Sequence, residues 1–175
     1  MNVRPAESRD AAGIARVHVE SWQTSYTGIV PQIYLDRLSI ERRTEGWQRI
    51  LSESRENILV AQTNEGEIIG FVNGGKERED LPGYDGELYA IYLLKKAQGQ
   101  GVGRKLFNGI VKILAEQGFN NMTLWVFKDN NTARQFYERL GGQLIAQKTF
   151  TLAEVDLIEV AYGWKDIKGW LTTQG

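Results

Sequence analysis

The stretch from Glu87 to Phe127 constrains the fold more than any other. Two apolar runs, ELYAIYLL (Glu87 to Leu94) and MTLWVF (Met122 to Phe127), flank a segment from about Gly101 to Gln117. That segment carries Val102, Leu106, Ile110, Ile113 and Leu114 at helical spacing and is ended by Gly118. Strand, helix and strand in this order form a crossover unit, which makes the two strands parallel neighbours. Ligands of such units gather at the carboxyl ends of the strands. At that end the chain reads QGQGVGRKLF, with Gly99, Gly101 and Gly103 alternating with other residues.

Glycine gives up more backbone freedom than any other residue, so three of them ahead of a helix mark a special backbone path. The first amides of the helix have no intrahelical partner and share the positive end of its dipole, which makes an anion site for a phosphate or pyrophosphate. Arg104 adds a cation in the first turn, a place the dipole disfavours without an anion nearby. The competing reading is a tight strand-to-helix connection with no ligand. The spacing G-x-G-x-G is neither the dinucleotide fingerprint G-x-G-x-x-G nor the phosphate loop G-x-x-x-x-G-K-S/T.

The remaining elements follow from pattern. Val3 to Arg4 reads as a short strand stopped by Pro5, and Ser8 or Asp10 as the cap of a helix reaching about Trp22. Ser39 caps a second helix over Ile40 to Leu51, after the aromatic, turn-prone stretch SYTGIVPQIYLDRL. NILVAQT and EIIGFVNGG form a hairpin around Asn64-Glu65-Gly66. A helix from Asn130 or Asn131 to Leu140 stops at Gly141, and QLIAQKTF and LIEVAYGW are the last strands. The order β-αα-β-β-β-α-β-α-β-β predicts an α/β fold, a central mixed sheet of about seven strands with helices on both faces, in one domain over residues 1–175.

Composition narrows the function. The net charge of −1 argues against general nucleic-acid binding. No apolar run nears the roughly 20 residues of a membrane span, and MNVRPAESRD has no apolar signal core, so the expectation is a cytoplasmic protein without membrane attachment. The absence of cysteine removes disulfides and a thiolate nucleophile. The single histidine, His18, shares a helical stripe with Ile14, Val17, Ser21 and Trp22, which favours a partly buried structural residue; no metal site is expected.

The residues around both glycine signals resemble the GNAT superfamily of acetyl-CoA-dependent N-acetyltransferases. Gln98, Gly101 and Gly103 fill its pyrophosphate motif Q/R-x-x-G-x-G/A. In NNTARQFYERLG, Asn130, Ala133, Phe136, Tyr137, Leu140 and Gly141 fill its second signature. The resemblance spans the chain in element order and is closest from Glu87 to Gly141. It implies an enzyme that passes acetyl from acetyl-CoA to a small-molecule or peptide amine by direct attack in a ternary complex.

The resemblance also implies roles. Backbone amides of Gln98, Gly99, Gln100, Gly101, Val102, Gly103 and Arg104 hold the pyrophosphate, main-chain groups of Ile91 and Leu93 bond the pantetheine arm where the sheet splays, and Asn130 contacts that arm. Tyr137 protonates the departing thiolate, with packing in its helix stripe as the plain alternative. Glu87 is the candidate base, weighed against a solvated strand-end charge. Trp22, Tyr26, Tyr34 and Tyr89 are candidate walls of the acceptor site, or core. Glu77, Glu79, Asp80, Asp85 and Glu87 bias that side toward a cation.

Two departures stand out: Lys95 where proline is common, and Gly142 where an aromatic residue usually follows, which implies looser packing at the next strand. Another acyl-CoA or acceptor, or a non-catalytic acyl-CoA sensor, remain open, as does a homodimer through the late strands.

Overall fold

The computed structural model describes residues 1–53 and 56–173. Seven strands make one sheet: β1 Asn2–Pro5, β2 Asn57–Gln62, β3 Ile68–Lys76, β4 Gly86–Leu93, β5 Met122–Phe127, β6 Gln143–Leu152 and β7 Val155–Trp164. Their order is β1-β2-β3-β4-β5-β7-β6. Neighbours are antiparallel except β4 and β5, the pair joined by the crossover. The helices are α1 Ala11–Ser25, α2 Gln32–Asp36, α3 Ile40–Glu53, α4 Val102–Glu116, α5 Asn131–Arg139 and α6 Ile167–Thr173.

The two faces are covered by different helices. On one, His18 of α1 packs against Phe71 of β3 and Tyr92 of β4, and Trp47 of α3 meets Phe71. On the other, Leu106, Phe107, Ile110 and Leu114 of α4 are fully buried, and Phe107 touches Phe136 of α5 and Trp170 of α6. The expected mixed sheet with helices on both faces is therefore the one observed.

Several details differ from the sequence expectation. Pro5 lies inside β1 and pairs with Leu59; β1 is a terminal strand of the sheet, so the missing N–H faces no neighbour. Ser8–Asp10 is a short 3-10 turn, and the Asp10 carboxylate accepts from Glu7 N–H at 2.8 Å and pairs with Arg4 at 2.7 Å. The helix α1 begins one residue later and continues to Ser25. Two helices were not expected. Pro31 sets up α2 in the aromatic connection, and α6 forms around Gly169 and two threonines because Trp170 gains burial on Phe107.

The packing at Gly142 is the reverse of what the departure there implied. A Cβ on Gly142 would lie 2.6 Å from the Trp164 ring. Trp164 and Trp170 both donate their indole N–H to Leu140 O, at 2.9 and 2.7 Å. Indoles from β7 and α6 supply the aromatic surface, and a bare backbone lets them close.

The turn joining β6 and β7 carries Ala153 at φ +48° and Glu154 at φ +64°. Two successive left-handed residues fit the right-handed twist of a two-residue hairpin, yet neither is glycine or asparagine. Left-handed backbone costs an ordinary residue about 1–2 kcal/mol. The double variant Ala153→Asn, Glu154→Gly is therefore expected to raise unfolding free energy by about 1–2 kcal/mol in urea titration.

Candidate functional site

The parallel pair carries the site because it is barely a pair. β4 and β5 are in register only at Gly86–Met122 and Glu87–Thr123, and beyond those two positions the strands part. Leu94 N–H donates to Ile69 O, which fixes the alternation of β4 against β3. Tyr92 and Ala90 then point their backbone groups at β3, and Ile91 and Leu93 point theirs into the opening. Ser21 of α1 donates its hydroxyl to Leu93 O at 2.9 Å, which ties the helix to the rim and leaves the Leu93 N–H facing the gap. A bulge at Tyr89, between the pairs Asn73–Ala90 and Gly74–Leu88, turns the strand just below the opening.

At the upper end, a 3-10 turn over Lys95–Ala97 leads into the glycines. Gly99 and Gly101 have φ +73° and +76°, the left-handed region that side-chain-bearing residues rarely adopt. A Cβ added at either would meet no atom within 4 Å, so open space lies in front of the loop. Gly101 is the residue before α4, and the amides of Val102, Gly103 and Arg104 begin the helix. Gly103 has an ordinary backbone, and a Cβ there would make ordinary van der Waals contact with Phe136 and Leu93 at 3.4 and 3.6 Å.

A cleft of about 570 Å³ runs from this loop down through the opening. Gln98, Gly99, Gly101, Gly103, Arg104 and Asn130 line its upper part, together with Lys95 and Arg139, two cations that the sequence reading did not select. Ile91, Leu93 and Tyr137 line the middle, and Tyr26, Tyr89 and Trp125 the lower part. Gln100 and Val102 do not reach it: the Gln100 amide folds back to Lys96 O at 2.7 Å, and Val102 is buried. Their side chains are thus no part of the wall, whereas the Val102 amide still belongs to the helix start.

Asn130 has a second task, since its side-chain oxygen caps α5 by accepting from Ala133 N–H at 3.2 Å. Tyr137, on the face of α5 turned to the sheet, is 6% exposed. Burial pushes its hydroxyl well above the ordinary tyrosine range, so it stays protonated.

Trp22 is placed differently from the expectation. It packs behind the lower wall, against Tyr26 and Tyr92, which line the cleft, and against Tyr34 and Phe127, which do not. Tyr34 likewise packs there and does not line the cleft. The Tyr26 and Tyr92 hydroxyls lie 3.4 Å apart.

Glu87 requires a correction as a candidate base. It is 3% exposed and lies where β4 and β5 still pair. Its carboxylate accepts three hydrogen bonds from Arg78: the backbone N–H at 3.0 Å, Nε at 3.1 Å and Nη2 at 2.8 Å. The same guanidinium stacks 3.6 Å from the centre of the Tyr89 ring. Both carboxylate oxygens are thus engaged, and the group does not line the cleft. Sequence alone had no means of seeing that Arg78, nine residues earlier, folds back over it.

His18 is structural, as its helical stripe predicted. Its Nδ1 accepts from Trp47 Nε1–H at 3.3 Å, among aromatic rings. Burial first, with help from the Arg43 charge, lowers its pKa from 6.5 to about 3. The folded chain therefore holds fewer protons at His18 than the unfolded chain between these values. Stability is complete above pH 6.5 and is lost as pH falls toward 3, by up to about 1.4 kcal/mol per pH unit. Urea unfolding at pH 7, 6 and 5 should show that decline, and His18→Phe should flatten it.

Among the described residues no group of three or more His, Asp or Glu side chains is placed to hold a metal ion, and no helix is long and apolar enough to cross a membrane.

A split parallel pair, a left-handed glycine loop and a helix start at one end of it form a cleft whose chemistry suits an extended molecule with an anionic head. Comparison with known proteins gives the class. Residues 17–142 match the model of the acetyltransferase (GNAT) family, and the chain belongs to that family. It is 39% identical over 172 residues to "Uncharacterized N-acetyltransferase YuaI" of Bacillus subtilis (strain 168), covering 98% of this chain and 97% of that protein. "Probable N-acetyltransferase Rv2775" of Mycobacterium tuberculosis is 27% identical, covering 93% and 92%.

Two solved structures share the fold. PaiA N-acetyltransferase from Thermoplasma acidophilum, in complex with coenzyme A, has a TM-score of 0.68 at 22% identity over 91% of this chain and 96% of that one. The putative acetyltransferase yncA from Salmonella typhimurium, with its cofactor acetyl-CoA, has a TM-score of 0.71 at 20% identity over 96% and 94%. The chain is an acetyltransferase of this family.

Proposed function

We propose that the chain transfers acetyl from acetyl-CoA to a primary amine, of a small molecule or a peptide, by direct attack with both substrates bound. The observation that carries this is the opening between β4 and β5, where Ile91 and Leu93 present backbone groups beside a loop with open space in front of it. A polar backbone edge inside a core is stable only if something completes its hydrogen bonds. A pantetheine arm has amides at the right chemistry to do so, and the pyrophosphate ahead of it suits the amides from Gln98 to Arg104. Lys95, Arg104 and Arg139 add positive charge at that end.

Each residue then has a defined task. Ile91 and Leu93 align the arm as an added strand, Asn130 meets it from the end of β5, and Tyr26 and Tyr89 border the acceptor. Holding two reactants in line is the largest contribution available to such an enzyme. Tyr137 supplies the proton to the leaving sulfur. The burial that raises the Tyr137 hydroxyl also raises the basicity of a thiolate formed beside it, so the transfer stays matched.

The test is calorimetric titration with acetyl-CoA and with CoA, followed by release of free thiol from acetyl-CoA across a panel of primary amines. Binding with turnover supports the transferase. Binding with no turnover on any amine favours the sensor reading, and no binding to either form removes both.

A further inference from the structure

Two carboxylates lie on the sheet face that carries Trp125, a residue of the lower cleft wall, though neither lines the cleft itself. Glu87 is closed off by Arg78, as described. Glu159 of β7 is held more loosely. The register sets it directly beside Phe127, the last residue of β5, so its side chain emerges on the face that carries Trp125. Burial raises its carboxyl above the ordinary value, against the pull of Lys148.

Lys148 shows what this place accepts. It is the cross-strand partner of Glu159. Its ammonium lies 4.2 Å above the centre of the Trp125 ring, 2.9 Å from Glu79 Oε1 and 3.7 Å from Glu159 Oε2. An ammonium over an indole face, flanked by carboxylates, is the arrangement by which proteins hold cationic amines. Trp125 itself lines the cleft. Lys148 therefore carries, tethered, the functional group of a primary-amine acceptor.

We propose that Trp125, Glu79 and Glu159 hold the acceptor as its ammonium, in the place Lys148 fills in the free protein, and that Glu159 takes the first proton from it. This rests on the amine-acetyltransferase reading. The step balances as follows. The ammonium gives one proton to Glu159, and the freed nitrogen pair forms the bond to the acetyl carbon while the carbon–sulfur bond breaks. The sulfur takes a proton from Tyr137, Tyr137 regains one from the newly formed amide nitrogen, and Glu159 releases its proton to water. The groups that face Glu159 and set its titration are Lys148 from β6, Glu79 from the loop after β3, Glu87 and Tyr92 from β4, and Tyr26 from α1.

The experiment uses n-butylammonium as probe on the full chain saturated with CoA, read by the NMR signal of the Trp125 indole N–H, assigned with Trp125→Phe. Lys148→Met is expected to lower the titration midpoint about tenfold relative to wild type, and Glu159→Gln to raise it by a similar factor, each the weight of one exposed-to-buried cation contact. In acetyl transfer to n-butylamine, Glu159→Gln is expected to lose about 10²-fold or more in kcat/KM. It should also lose the acidic limb of the pH profile, with acetyl-CoA affinity within about twofold of wild type, since no cofactor contact is touched.

Equal midpoints in all three proteins, or loss of the acidic limb in Glu87→Gln instead of Glu159→Gln, overturn the proposal. A wild-type chain that binds no acetyl-CoA overturns the transferase reading instead, and the Trp125 titration reads the ammonium site separately.

Discussion

Tyr137→Phe is expected to lower kcat about 10²-fold or more, with the affinity for acetyl-CoA nearly unchanged. The hydroxyl is the only group lost, and its ring keeps its contacts with Phe136 and Tyr162. Burial keeps the hydroxyl protonated across the working range, so the wild-type rate should show no alkaline decline from Tyr137 below the ordinary tyrosine range. Stopped-flow detection of free thiol, beside calorimetry with acetyl-CoA, separates chemistry from binding. A packing-only Tyr137 would leave kcat within about twofold, because a transition-state contact is what lowers kcat and kcat/KM together.

Gly101→Glu is expected to raise the Kd for acetyl-CoA by about 10²-fold or more, since like charge and left-handed strain act together. The residue sits at φ +76° immediately before α4, and its position opens on the space in front of the loop. A carboxylate at a helix N-terminus favours the helix itself, so the fold should persist while the anion site is occupied from within. Gly101→Ala isolates the conformational part: about tenfold weaker binding and about 1–2 kcal/mol lower stability. Titration calorimetry reads the first and urea unfolding the second. Undiminished binding in Gly101→Glu would move the pyrophosphate away from this loop.

The parts of the fold that sequence made legible are those where local pattern and global packing agree. The crossover from Glu87 to Phe127 is one, because the spacing of Val102, Leu106, Ile110 and Leu114 already defines the buried face of α4. MTLWVF is β5 from its first residue to its last. Elements held by distant contacts were hidden: α6 depends on Trp170 meeting Phe107, and α2 has only five residues.

The site divides the same way. The proposed cofactor half is written in consecutive residues, from Gln98 to Arg104 and from Asn130 to Tyr137. The proposed acceptor half is assembled from separate strands. Nothing near Glu87 in sequence says that Arg78 will close on it, and nothing joins Lys148, Glu159 and Trp125 before β5, β6 and β7 are aligned. An acid and a lysine on the last two strands, opposite each other in register, were the available signal, and that register follows from a turn with no glycine in it.

The two residue pairs that join β4 to β5 make the sheet two plates riveted at one corner. One plate is the antiparallel run from β1 to β4, the other the hairpin of β6 and β7 with β5, and α4 spans the seam. A donor held in the seam as proposed adds bonds along a line the chain itself leaves unstitched. On the proposed reading the bound donor is part of the architecture, and its departure as CoA leaves the plates joined at that corner alone.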